Sequence, residues 1–243
     1  MACSTALAST RIQDIVADRT ADNYALIISV AAGLPGLAND REKVRGILER
    51  KEFGFHIYEL RDKDATKPVL ESTLMYLSKK AGDRGTLVVY FGGHGAEGQF
   101  YLGDKKFFSA NDFKKSIAGG RKGKSALERL MIFVDACESG SFVDPWSASQ
   151  KFIGSFGAWT PKDGARNLFL FASSLPHESS LAAAEGSYFT LALRQAFDEA
   201  VAQELSLGEW ARLTQQHTQE HHPVFKFVPE AFSEEKVLNS PCD

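Results

Sequence analysis

The chain has 243 residues, a formal net charge of -3, and a composition that is 44% hydrophobic and 24% charged. That is an ordinary globular composition with enough apolar residues for a substantial core, and its mild acidity gives no general attraction to nucleic acid. The longest apolar run, 25–38, is too short to span a bilayer, and the opening MACSTALAST lacks the basic and apolar regions of a secretory leader, so a cytoplasmic protein with no membrane partner is expected.

The first element predicted is a buried strand, Tyr24 to Ala31 (YALIISVA). A helix over 39–52 follows, with Val44, Ile47 and Leu48 at helical spacing. Phe55 to Leu60 alternates like a strand, and a second helix starts at Thr66, with Pro68 in its first turn and Leu70, Leu74 and Leu77 on one face. Thr86 to Phe91 is a third strand and runs straight into the glycine loop GGHGAEG. Gly93, Gly95 and Gly98 match the G-x-G-x-x-G spacing of a dinucleotide loop. That motif must open into a helix, however, and here Gln99 to Ser109 reads as an aromatic β-hairpin around a Gly-Asp turn, which argues against nucleotide binding.

A short helix (111–118) and the basic loop GGRKGK lead to a fourth buried strand, Leu130 to Ala136, ending at Cys137. Residues 138–166 look irregular, rich in Ser, Gly, Pro and Trp, which in a chain of this size marks a functional loop. Then come a strand (Asn167 to Ala172), helices over 187–204 and 207–216, and a last strand, Val224 to Val228. Strands alternating with helices predict one α/β domain over 1–243, with 1–22 and 230–243 as peripheral tails. The expected architecture is an open, mostly parallel sheet of about six strands flanked by helices, with a small β-hairpin after His94.

Two strands end in reactive groups, one in His94 and one in Cys137. In open parallel sheets, function collects at the carboxyl ends of strands. A thiol is largely protonated near neutral pH, so a nucleophilic cysteine needs an imidazole within reach. The three cysteines, Cys3, Cys137 and Cys242, form no disulfide framework, which leaves Cys137 as a lone internal thiol. A lone cysteine or histidine is ordinarily structural; it is the pairing, each after a buried strand and before a glycine turn, that points to a dyad. The amides of Gly95 and Cys137 are candidates for an oxyanion hole.

"LVVYFGGHG" (87–95) followed by "LMIFVDACESGSF" (130–142) resembles the caspase-like cysteine peptidases, the group of caspases, metacaspases, paracaspases and legumains. "LANDREKV", "NLFLFASS" and "GSYFTLALRQAF" extend the likeness from about Tyr24 to about Val228. The resemblance implies an endopeptidase with His94 as base and Cys137 as nucleophile, acting on protein or peptide substrates. Asp135 and Asp40 stand where metacaspases and paracaspases carry their S1 aspartates, and Glu178 where the paracaspase type has a glutamate. Carboxylates around one pocket attract a guanidinium, so cleavage after Arg, then Lys, is expected. "ACESGS" is closer to the legumain block, which keeps cleavage after Asn as the alternative, although the aspartate legumains carry near Ser187 is missing. A latent caspase-like binding module is the non-catalytic reading.

The resemblance also implies a role in signalling, defence or cell death, an upstream activating protein, and self-cleavage in the loop at Lys151, Lys162 or Arg166. No cofactor is expected: calcium is a metacaspase feature, but no dense acidic cluster surrounds Asp104 and Asp112. "HTQEH" (217–221) matches a zinc-peptidase H-x-x-E-H pattern. It needs a helix through both histidines, and Pro223 disfavours one just before it.

Overall fold

Four strands whose residues are apolar on both faces lie inside a sheet, and the one strand with an alternating pattern lies at its edge. In the computed structural model, which describes residues 10–16, 18–143, 156, 159–218 and 222–228, the strands β1 (Asn23–Val30), β2 (Phe55–Arg61) and β3 (Thr86–Gly93) are separated by helices α1 (Leu37–Leu48) and α2 (Lys67–Ala81). A three-stranded antiparallel sheet follows, made of β4 (Gly95–Ala96), β5 (Gln99–Tyr101) and β6 (Phe107–Ser109), and then α3 (Ala110–Gly120). The chain continues through β7 (Leu127–Asp135), β8 (Ala165–Ala172), the short pair β9 (Ala182–Ala183) and β10 (Gly186–Ser187), α4 (Tyr188–Ala202), α5 (Leu207–His217) and β11 (Val224–Val228).

The main sheet has the order β11-β8-β7-β3-β1-β2, parallel throughout except for β11, which runs antiparallel to β8. β1 and β3 are buried at every position, whereas β2 alternates between exposed and half-buried residues over most of its length and takes the outer edge. The expected fold class is therefore observed, mixed α/β with a six-stranded, mostly parallel sheet. Odd and even strand residues feed two cores. Leu26, Ile28, Val89 and Phe91 pack under Leu70, Leu74 and Leu77 of α2 on one face. Ile27, Val88, Met131, Phe169 and Phe171 meet Val44, Phe189, Phe197 and Trp210 on the other.

The helix ends follow local chemistry. α1 starts earlier than its hydrophobic spacing suggests, at Gly36 in a left-handed conformation (φ 74°). Ser109 with Asp112, and Ser206 with Glu209, form capping boxes for α3 and α5, and the Ser187 hydroxyl accepts the Thr190 amide at the start of α4. The segment read as irregular, 138–166, is partly regular: single 3-10 turns cover Ser139–Phe142 and Pro161–Asp163, and β8 already begins at Ala165. The β9-β10 hairpin had no legible signal, since its strands are two residues each. α5 ends at His217, and Thr218 is extended. Among the described residues no helix is long and apolar enough to cross a membrane.

Candidate active site

The carboxyl ends of β1, β3 and β7 border one cleft, lined by Asp40, His94, Asp135, Cys137 and Ser187 among others. β1 and β7 flank β3 in parallel, with Gly92 of β3 level with Asp135 of β7, so the loops carrying His94 and Cys137 leave the same edge side by side. Gly95 closes the gap between them. A methyl group on it would lie 2.7 Å from the Cys137 carbonyl oxygen and 2.8 Å from Ala136 Cβ, so only glycine permits this approach. The Gly98 amide then donates to Ser141 Oγ at 2.7 Å, a second tie between the two loops.

The segment around Cys137 is held by buried serines. Ala136 N donates to Ser173 Oγ (3.2 Å), and both Ser173 Oγ and Ser174 Oγ donate to the Ala136 carbonyl. On the other side of the cysteine, Ser139 N donates to Ser174 Oγ (3.3 Å) and Ser174 N to Ser139 Oγ (3.1 Å). Glu138, between Cys137 and Ser139, takes a left-handed φ of 57°, and its amide donates to the Glu178 carbonyl at 2.8 Å. Cys137 itself is half-buried, with its Sγ 3.8 Å from the Ser180 carbonyl oxygen.

His94 Nε2 lies 3.3 Å from the carbonyl oxygen of Ala32. A carbonyl can only accept, so Nε2 is the donor in this contact and Nδ1 is the ring nitrogen left for other partners. Residue-type patterns could not reveal this contact, because the Ala32 carbonyl belongs to the backbone.

Two buried acids, Asp40 and Asp135, line the same cleft as His94 and Cys137. Asp135 accepts hydrogen bonds from the hydroxyls of Tyr90 (3.3 Å), Ser180 (3.1 Å), Thr190 (2.8 Å) and Ser187. This ring of hydroxyls explains how a carboxylate survives at the end of an apolar strand. Asp40 is fully buried in the first turn of α1, and its Oδ1 accepts the Ser187 amide at 2.9 Å. Its Oδ2 has no hydrogen-bond partner among the described residues. Burial, with the Asp135 carboxylate close by, pushes the Asp40 carboxyl up to about 7, against the pull of the Ser187 amide and Lys43. Among the described residues no lysine or arginine lines the cleft. The β9-β10 hairpin closes its far side through Asn39 Nδ2 to the Ala184 carbonyl (2.8 Å) and Lys43 Nζ to the Glu185 carbonyl (2.7 Å).

Glu178, expected beside Asp40 and Asp135, is not among the residues that line this cleft. Its carboxylate accepts the amides of Leu175 and His222, both at 3.0 Å, and meets His222 Nδ1 at 2.8 Å. Those bonds hold the carboxyl below its ordinary range against partial burial. Of the positions read as self-cleavage sites, Arg166 lies within β8 and pairs with Glu128 at 3.0 Å, so the bond after it is part of the sheet. Lys162 is exposed in the 3-10 turn Pro161–Asp163, and Lys151 falls outside the described residues.

A calcium site does not fit at Asp104 and Asp112. Asp112 pairs with Lys67 Nζ at 2.7 Å and caps α3, while Asp104 accepts the Lys67 amide and lies 3.7 Å from Lys106 Nζ. Both carboxylates already face ammonium groups. The zinc-peptidase reading of "HTQEH" also loses its support, because the helix stops at its first histidine; residues 219–221 lie outside the described ones.

A family profile described as the caspase domain matches residues 22–235. Among solved structures, caspase-1 from Spodoptera frugiperda is similar at a TM-score of 0.62 and 14% identity, over 86% of this chain and 88% of that one. The protein GSU0716 from Geobacter sulfurreducens is similar at a TM-score of 0.68 and 16% identity, over 86% and 94% of the two chains. No curated protein matches the chain.

Proposed function

The chain belongs to the caspase-domain family, and from that footing we propose that it is a cysteine endopeptidase that cuts proteins after arginine and, less readily, after lysine. The carrying observation is the fully buried, unpaired Oδ2 of Asp40 in the cleft that holds His94 and Cys137. A buried acceptor left without a donor costs stability, and a guanidinium from a substrate side chain supplies the missing donor and charge together. Asp135 adds a second negative charge, and the hydroxyls of Ser180 and Ser187 add polar walls. The reading takes the chain as one peptidase domain, since strands from Asn23 to Val228 share one sheet.

In the proposed reaction the Cys137 thiol gives its proton to His94 Nδ1, and the thiolate attacks the carbonyl carbon of the basic residue itself. The developing oxyanion is received by the amides of Gly95 and Cys137. His94 then passes the proton to the leaving amine, and a water molecule, deprotonated by the same imidazole, releases the acyl group from sulfur. The Ala32 carbonyl keeps the ring in one tautomer through each transfer. A role in signalling, defence or cell death, and dependence on an upstream activator, are proposals carried by family association only.

The test is turnover of fluorogenic peptides that differ only at P1 (Arg, Lys, Asn, Asp), by the wild type and by Cys137→Ala. Arginine turnover, weaker lysine turnover and none in the variant are expected. Turnover of the asparagine peptide alone would overturn the basic preference while leaving the dyad standing.

A further inference from the structure

The turn that presents the Ala32 carbonyl is unusual for its sequence. Ala31 O accepts the Leu34 amide at 2.7 Å, and both central residues have positive φ, 40° at Ala32 and 93° at Gly33. Those signs are the type I′ pattern, which glycine, asparagine and aspartate favour and alanine does not. A Cβ is crowded in the left-handed region, so a conformation of this kind persists where neighbours enforce it, and such places cluster at functional sites.

One neighbour does so. Asp62, the first residue after β2, reaches across to β1, and its Oδ1 accepts the Ala31 amide at 2.9 Å. Packing does not account for Asp62: no residue of its 3-10 turn, Asp62–Asp64, is buried. Its backbone also carries a positive φ of 41°, and its carbonyl accepts the Ala65 amide at 3.0 Å, which holds the carboxylate's base in place.

We propose that Asp62 is a positioning residue for the base: by fixing the Ala31–Leu34 turn, its carboxylate keeps the Ala32 carbonyl on His94 Nε2 and so keeps Nδ1 facing the thiol. This rests on the dyad reading of His94 and Cys137. Asp62 touches neither substrate nor imidazole and acts through one turn of backbone. A hydrogen-bond acceptor is all the contact requires, so an amide oxygen suffices in its place.

The experiment compares wild type, Asp62→Ala, Asp62→Asn and His94→Ala as full chains. Two quantities are measured: the rate at which iodoacetamide alkylates Cys137 at neutral pH, mapped by mass spectrometry, and kcat and KM on the arginine peptide. Asp62→Ala is expected to lower kcat by on the order of 10- to 100-fold, with KM within about twofold, and to slow alkylation in the same direction as His94→Ala. Asp62→Asn is expected to stay near wild type. Unchanged kcat and alkylation in Asp62→Ala, a rise in KM alone, faster alkylation from a loosened loop, or an Asn variant as impaired as the Ala one would each overturn the positioning role. If His94→Ala itself alkylates at the wild-type rate, the dyad is what fails, and that outcome is visible whatever Asp62 does.

Discussion

Asp40 carries opposing demands on one carboxylate. In the folded chain its carboxyl is held up to about 7 from an ordinary value of 3.8, so between those values folding takes up a proton. Its cost to stability is absent below about pH 4, grows as pH rises, and is complete above about pH 7. Asp40→Asn keeps an oxygen for the Ser187 amide and removes the charge. It should therefore raise the unfolding free energy at pH 8 by on the order of 1–4 kcal/mol, with little change at pH 4. The same variant should raise KM for arginine peptides about 10-fold or more, because the guanidinium loses a buried counter-charge. A variant more stable at pH 8 but poorer at binding arginine is the signature of a residue kept for substrate; lower stability at pH 8 would instead mark Asp40 as a structural acid. His94 and Cys137 were legible because each follows a continuous apolar strand. The hydroxyls of Tyr90, Ser180, Ser187 and Thr190 around Asp135 were not, since serine and threonine carry no periodic signal. The direction of the Glu178 carboxylate was not legible either: it turns to the amides of Leu175 and His222, 44 residues away in the case of His222.

At the scale of elements, the segment 136–139 is held less by regular structure than by the buried hydroxyls of Ser139, Ser173 and Ser174, all inaccessible to solvent. The Ser173 hydroxyl bonds the Ala136 amide and carbonyl, the Ser174 hydroxyl bonds the Ala136 carbonyl and the Ser139 amide, and the Ser139 hydroxyl accepts the Ser174 amide, so each removal strands a buried backbone group. Ser174→Ala should cost about 1–3 kcal/mol in denaturant unfolding, and under the proposed function it should lower kcat more than it raises KM, because Cys137 rather than Asp40 and Asp135 loses its support. A loss confined to KM would show that the serines brace the substrate pocket instead. Helix boundaries drifted for identifiable reasons. α1 begins where Gly36 can turn left-handed against the β9-β10 hairpin, a close approach that hydrophobic spacing does not encode: a Cβ there would lie 2.2 Å from the Ala183 carbonyl.

At the scale of the molecule, a cut within 138–166 leaves the sheet intact only if it falls before β8. Self-cleavage of the purified protein should therefore yield fragments whose new ends map before Ala165, at Lys162 or Lys151, and none after Arg166, whose peptide bond lies within β8 alongside β7; mass spectrometry of the incubated chain reads this directly. A fragment beginning at Asn167 would show that β8 opens under native conditions. The sequence by itself determined the strand-helix alternation, the parallel sheet, and the two strand ends that carry His94 and Cys137. These follow from hydrophobic period and local stereochemistry, which are properties of neighbouring residues. Only the tertiary structure decided that Asp40 joins Asp135 while Glu178 does not, that the Ala32 carbonyl faces the imidazole, and that Asp62 reaches the turn behind it. Those contacts join residues far apart in the chain through backbone groups and side-chain directions, and their geometry is set by packing across the sheet, which no local pattern records.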